Sequence, residues 1–153
     1  MWQFATGGEI LGTPSWANDL LVFGSGDGNV YAIDDSGEQK WSYTAGAPVY
    51  GTVVCADGTA YVGDNAGQLH ALSVASGEPR WVFAGATFGV EAAPCVWGDK
   101  VAFGAWDGNV YCLKRDTGQL AWKARGPKAS DGKAVRYYSP ADCGPVALGD
   151  GLY

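Results

Sequence analysis

Few side chains in this sequence could do chemistry, and their spacing limits what that chemistry is. There is one histidine, His70, and the four cysteines, Cys55, Cys95, Cys112 and Cys143, form no Cys-x-x-Cys pair. Zinc takes three or four such ligands at short regular spacing, so a zinc centre is not expected. The irregular cysteine spacing predicts buried apolar thiols instead. Tyr50, Glu91 and Asp142 stand at equivalent places ahead of short apolar strands, and all three are candidate ligand-binding residues. Glu91 and Asp142 would present two carboxylates to one opening; the plainer reading makes them hydrated rim residues. A second candidate cluster is Arg136, Tyr137 and Tyr138, near Lys128 and Lys133: cationic and aromatic groups in a chain of formal charge −6. That chemistry suits a small anionic or sugar ligand, or a protein partner. Asp27-Gly28-Asn29 and Asp107-Gly108-Asn109 offer oxygen ligands of the kind calcium takes. Each supplies one Asp on a turn that needs Asp-Gly for its own geometry, so no metal ligand is assigned.

The elements that must position these groups are legible in the composition. Of 153 residues, 47% are hydrophobic, 17% charged and 13% aromatic, with 24 glycines and 7 prolines. That is a globular chain of many short strands and tight turns. Its acidic balance repels phosphate backbones, which argues against nucleic acid as a partner. No apolar run approaches the ~18 to 20 residues of a membrane-spanning helix. The first basic residue is Lys40, so no signal peptide is expected in this sequence, and the compartment stays open.

One period organises the chain. Trp2, Trp41, Trp81 and Trp122 are 39, 40 and 41 residues apart, and the same step relates Gly28, Gly67 and Gly108, then Tyr31, His70 and Tyr111, then Gly37, Gly77 and Gly118. Each period reads as four strands. In the third they are Ala93–Trp97, Lys100–Gly104, Asn109–Leu113 and Leu120–Ala124, with hairpin turns at Gly98-Asp99 and Asp107-Gly108, the latter expected as a tight two-residue turn. Four antiparallel strands per ~40 residues is a propeller blade. The fold is therefore an all-β β-propeller, about three complete four-stranded blades plus parts of one or two more. An outer strand is expected at 2–4, blades at about 9–43, 48–83 and 90–124, an insertion at 126–142 and an incomplete blade at 143–153. A propeller arc exposes its end faces, so the remainder of a larger propeller, or another chain completing the ring, is the expected partner.

The stretches Ala71 to Trp81 and Cys112 to Trp122 resemble the tryptophan-docking motif of the pyrroloquinoline-quinone-like, or quinoprotein-type, β-propeller repeat family, in which Ala, Asp, Thr-Gly and Trp hold fixed places. Ala32 to Trp41 is one residue shorter and keeps Asp34 and Gly37, and the Gly-Asn-Val-Tyr segments ending at Tyr31 and Tyr111 match as well. The resemblance implies that Trp2, Trp41, Trp81 and Trp122 are structural docking residues. An indole hiding about 150 to 250 Å² contributes roughly 4 to 6 kcal/mol before entropy is subtracted.

Two functions follow from the resemblance. One is a non-catalytic scaffold or recognition module, as in the outer-membrane assembly lipoproteins and the sensor regions of some bacterial kinases. The other is part of a quinoprotein dehydrogenase that oxidises alcohols or sugars by hydride transfer to pyrroloquinoline quinone near calcium and an Asp base. Such enzymes stack a disulfide of adjacent cysteines on the quinone, whereas this sequence has no Cys-Cys pair and no long blade insertions rich in Asn, Glu and Asp. The non-catalytic reading is preferred, with no catalytic residue and no cofactor assigned; the quinone and calcium belong to the alternative alone. His70 stands where neighbouring repeats have Tyr31 and Tyr111, so it reads as a core ring and not as a hydrolase base. The glycines follow the blade period with no helix behind them, which excludes a phosphate loop.

Overall fold

The computed structural model describes residues 1–125, 141, 143–148 and 151–152. The insertion residues Lys128, Lys133, Arg136, Tyr137 and Tyr138, and Asp142, lie outside the described residues. The chain is all-β: three four-stranded antiparallel sheets and one two-stranded piece, each in simple up-and-down order. The first sheet is β1 (Ser15–Ala17), β2 (Leu20–Gly24), β3 (Asn29–Ile33) and β4 (Gln39–Thr44). The second is β5 (Val54–Ala56), β6 (Thr59–Gly63), β7 (Leu69–Ser73) and β8 (Pro79–Phe83). The third is β9 (Cys95–Trp97), β10 (Lys100–Gly104), β11 (Asn109–Lys114) and β12 (Leu120–Arg125), and β13 (Ala147–Leu148) pairs with β14 (Gly151–Leu152).

The sheets stand side by side around a common inner edge, with β1 next to β5, β5 next to β9, and β9 next to β13. The Val53 N–H donates to the Thr13 carbonyl at 3.4 Å and the Thr13 N–H to Thr52 Oγ1 at 3.2 Å, stitching the first two inner edges together. The core accordingly lies between sheets. Val22, Val30, Ala32 and Trp41 of the first pack on Ala60, Val62, Leu72 and Val74 of the second. Tyr61, Leu69 and Ala71 of the second pack on Val101, Phe103, Tyr111 and Leu113 of the third. Strands buried on both faces explain why β6 and β10 read as continuous apolar runs and not as alternation.

Three expectations need correction. The β2–β3 and β10–β11 turns are four residues long: Gly28 N–H donates to the Ser25 carbonyl at 3.1 Å and Gly108 N–H to that of Ala105 at 3.0 Å. In these two turns glycine alone takes a positive φ, 87° and 80°, because each Asp uses its carboxylate to accept the N–H two residues on. The tight two-residue geometry occurs at the first hairpins, Asn18-Asp19 (φ 52° and 59°) and Asp57-Gly58 (46° and 71°). Second, residues 2–4 are in no strand: among the described residues no ladder pairs with them. Third, the thiols are not uniformly buried: Cys112 is, Cys55 and Cys95 are half-buried, Cys143 is exposed, and all four are free.

Candidate functional site

The links from one sheet's outer strand to the next sheet's inner strand converge at one end of the inner edge. Tyr50 sits on the β4–β5 link and Glu91 on the β8–β9 link, both half-buried. The two links run side by side: a Cβ built on Gly51, which follows Tyr50, would lie 3.4 Å from the Glu91 carbonyl. The sequence reading missed Glu9. Its carboxylate and the Tyr50 ring both close over Gly26, whose added Cβ would meet Glu9 Oε2 at 2.6 Å and Tyr50 Cε1 at 2.9 Å. Leu11, at the matching place in the first link, is 68% exposed, so this rim presents an apolar chain, a phenol and carboxylates. Asp142, the third candidate at this rim, is outside the described residues.

Behind the rim, each sheet holds a carboxylate against an aromatic ring. Asp27 accepts from Tyr31 Oη at 2.8 Å, from Gly7 N–H at 2.8 Å and from Asn29 N–H at 3.0 Å. Burial pushes its carboxyl up, but the bonds from Tyr31, Gly7 and Asn29 outweigh that and hold it below the ordinary Asp value. Asp107 repeats the arrangement with Tyr111 Oη at 2.5 Å, Thr87 N–H at 3.2 Å and Asn109 N–H at 3.0 Å. Burial raises it too, and again the hydrogen bonds win and lower it. Both phenols move upward, through burial first and the Asp neighbour second. In the second sheet the pair is Asp64 and His70, with Nε2 3.0 Å from Oδ2 and both side chains buried. His70 is thus a core ring, as expected; its acid partner went unseen because Asp64 stands two residues out of register with Asp27 and Asp107.

The tryptophans repeat one geometry on the opposite end. Trp2 Nε1 donates to the Asp35 carbonyl at 2.7 Å, Trp41 Nε1 to that of Val74 at 2.8 Å and Trp81 Nε1 to that of Arg115 at 2.9 Å. Each ring covers the glycine of the turn it reaches, Gly37, Gly77 or Gly118, where an added Cβ would fall 2.5 to 2.6 Å from indole carbons. A bulge just past the residue opposite Trp41, Trp81 and Trp122 recurs in all three sheets. Exposure differs widely: 8% for Trp41, 38% for Trp122 and 47% for Trp2. At this end Arg115 crosses to Asp57 of the second sheet at 2.6 Å, and a cleft of about 560 Å³ is lined by Gly98, Asp99, Lys114, Arg115 and Asp116. Its charges are mixed and lie on turns and at the end of β11. Lys40 bridges Asp34 and Glu38, each at 2.7 Å; its ammonium, then Ser36, hold the Asp34 carboxyl far below the usual range.

Radial sheets, inter-sheet cores and once-per-sheet indoles define a β-propeller arc built from quinoprotein-type repeats. Residues 1–142 match the family described as outer membrane protein assembly factor BamB, and the chain belongs to that family of PQQ-like repeats. It is 30% identical over 141 residues to the BamB of Burkholderia pseudomallei, covering 80% of this chain and 37% of that protein. It is 29% identical over 98 residues to the quinoprotein ethanol dehydrogenase of Pseudomonas aeruginosa, covering 56% of this chain and 16% of the enzyme. The BamB structure from Moraxella catarrhalis superposes with a TM-score of 0.77 at 20% identity, over 99% of this chain and 48% of that one. The chain spans little more than a third of the length of the BamB proteins it matches.

Proposed function

We propose that this chain is a non-catalytic propeller module, a scaffold with a recognition rim, whose contact surface combines Tyr50, Glu91 and Asp142 with the insertion residues Arg136, Tyr137 and Tyr138. The observation that supports it is the use made of the reactive groups. Asp27, Asp64 and Asp107 are each spent on three or more hydrogen bonds inside the fold, and the lone histidine is sealed between two sheets. A carboxylate saturated by turn amides and a phenol is a building part and a poor base. Among the described residues, the rim side chains Tyr50 and Glu91 carry no such obligation. By similarity to the assembly factors, the partner is a protein that works in outer-membrane assembly.

Trp2, Trp41 and Trp81 are read as the wedges that hold successive blades. Trp122, whose ring is 38% exposed, and the exposed strand β12 form the face on which a further blade seats, from the rest of a longer polypeptide or from another chain.

The match to the quinoprotein ethanol dehydrogenase favours a second reading, a piece of a quinone-dependent alcohol or sugar dehydrogenase. Titrating the protein with pyrroloquinoline quinone and calcium, with visible absorbance and melting temperature as readouts, tests between them. The scaffold reading expects neither to move; a saturable absorbance change with a raised melting temperature establishes the enzyme reading.

A further inference from the structure

The repeat is broken at one joint, where several residues change together. In the first and third sheets the third-strand ring is a tyrosine, Tyr31 or Tyr111, bonded to the Asp just before the turn glycine. Its ring packs against a phenylalanine of the preceding outer segment: Phe4 at 5.5 Å from Tyr31, Phe83 at 5.7 Å from Tyr111. In the second sheet the residue before the turn glycine is Ala66, the carboxylate has moved to Asp64, the ring is His70, and the phenylalanine is replaced by Tyr43. Tyr43 packs on His70 at 5.5 Å, and its hydroxyl lies 3.3 Å from Nδ1.

With the ring neutral, one arrangement of protons satisfies every group in this set. Asp64 Oδ1 accepts the N–H groups of Ala66 at 3.0 Å and Gln68 at 2.8 Å, which leaves Oδ2 to accept from Nε2–H. Burial, and then the charge of Asp64, push the Tyr43 phenol upward, so it keeps its proton, and with the ring proton on Nε2 it is the Tyr43 hydroxyl that donates to Nδ1. Tyr43 comes from β4 of the first sheet and Asp64 from the β6–β7 turn, while the cross-strand neighbours of His70, Val62 and Val82, do not titrate.

We infer that Tyr43, His70 and Asp64 form one relay that interlocks the first and second blades, each fitting only in company with the other two. Phe4 and Phe83 lack the hydroxyl such a bond needs, and the Tyr31 and Tyr111 hydroxyls already donate to Asp27 and Asp107. Among the described joints this polar bond is therefore particular to this one, and it fixes the pairing of these two faces, as a lone buried polar residue fixes register in a helix pair.

His70 is the only histidine, so nitrogen-15 NMR of the imidazole reads the relay without assignment. At a pH where the ring is neutral, the expected form carries its proton on Nε2. Tyr43→Phe should leave that tautomer, shift the Nδ1 resonance and lower the folding equilibrium constant about ten-fold, the usual consequence of stranding a buried acceptor. Replacing the whole unit by the pattern of the first blade, with Tyr43→Phe, Asp64→Ser, Ala66→Asp and His70→Tyr together, should recover folding to within about three-fold of the parent, against a larger loss for His70→Tyr alone. A proton found on Nδ1, or single-substitution effects that add without coupling, overturns the relay; the tautomer reading stands even if a variant fails to fold.

Discussion

Replacing Gly77 by alanine tests whether the indoles wedge the blades. Gly77 has φ +74°, so any side chain there takes the left-handed region at a cost of about 1 to 2 kcal/mol. The new Cβ would also sit 2.5 Å from Cε3 of Trp41, about 1 Å inside ordinary contact, so the indole must withdraw. Withdrawal breaks the 2.8 Å bond from Nε1 to the Val74 carbonyl, in a ring only 8% exposed. A stranded buried polar pair and lost packing add about 2 to 4 kcal/mol, for a total of about 3 to 6 kcal/mol. Gly46→Ala is the control: φ is +94°, yet nothing lies within 4 Å of its Cβ, so only backbone strain of about 1 to 2 kcal/mol applies. Urea unfolding followed by tryptophan fluorescence and circular dichroism measures both, and a common midpoint for the two probes licenses the comparison. Costs that agree within about 0.5 kcal/mol would refute the wedge, because the variants differ in what the methyl group meets and share the backbone penalty.

Stability should fall at both ends of the pH scale. Asp27 and Asp107 lie below their ordinary value, so their contribution is present above about pH 4 and is lost as pH falls through the folded-state values; Tyr31 and Tyr111 lie above theirs, so their contribution is present below about pH 10 and is lost as pH rises through theirs. Urea midpoints against pH check this, and Asp27→Asn with Asp107→Asn should flatten the acid limb. The thiols should react with a disulfide reagent in order of exposure, Cys143 first and Cys112 last, since burial pushes the Cys112 thiol up; mass spectrometry of partly labelled protein reads the order.

The fold was legible because its determinants recur. A tryptophan, a turn glycine and an apolar third strand every ~40 residues are each required once per sheet, so repetition reveals them without knowledge of the contacts. What escaped was whatever depends on a neighbour in space. Asp27-Gly28 looks like a two-residue turn until Ser25 is seen accepting from Gly28, and Trp2-Gln3-Phe4 looks like a strand until its missing ladder partner is noticed. Glu9 and Tyr50 both close over Gly26, a convergence that spacing along the chain does not encode. Asp64 was hidden by register: alignment to the period points to Ala66, where there is no carboxylate.

The same reasoning sets where function is to be sought. A residue demanded by the fold must appear in every blade, so identity across blades is the mark of architecture, and difference at an equivalent place marks freedom from it. At the rim the four equivalent places hold Leu11, Tyr50, Glu91 and Asp142, an apolar chain, a phenol and two carboxylates. No size or polarity is common to those four residue types, whereas Ala32, Ala71 and Cys112, equivalent places beside the indoles, are all small and buried. At His70 a buried core place varies in kind, and there the variation is matched by Asp64 and Tyr43 on either side. Compensated change inside a core preserves a contact; uncompensated change at a loop rim composes a surface. On the proposed function the rim is the part of this arc that a partner would distinguish, and the joint at His70 belongs to the pairing of the first two blades.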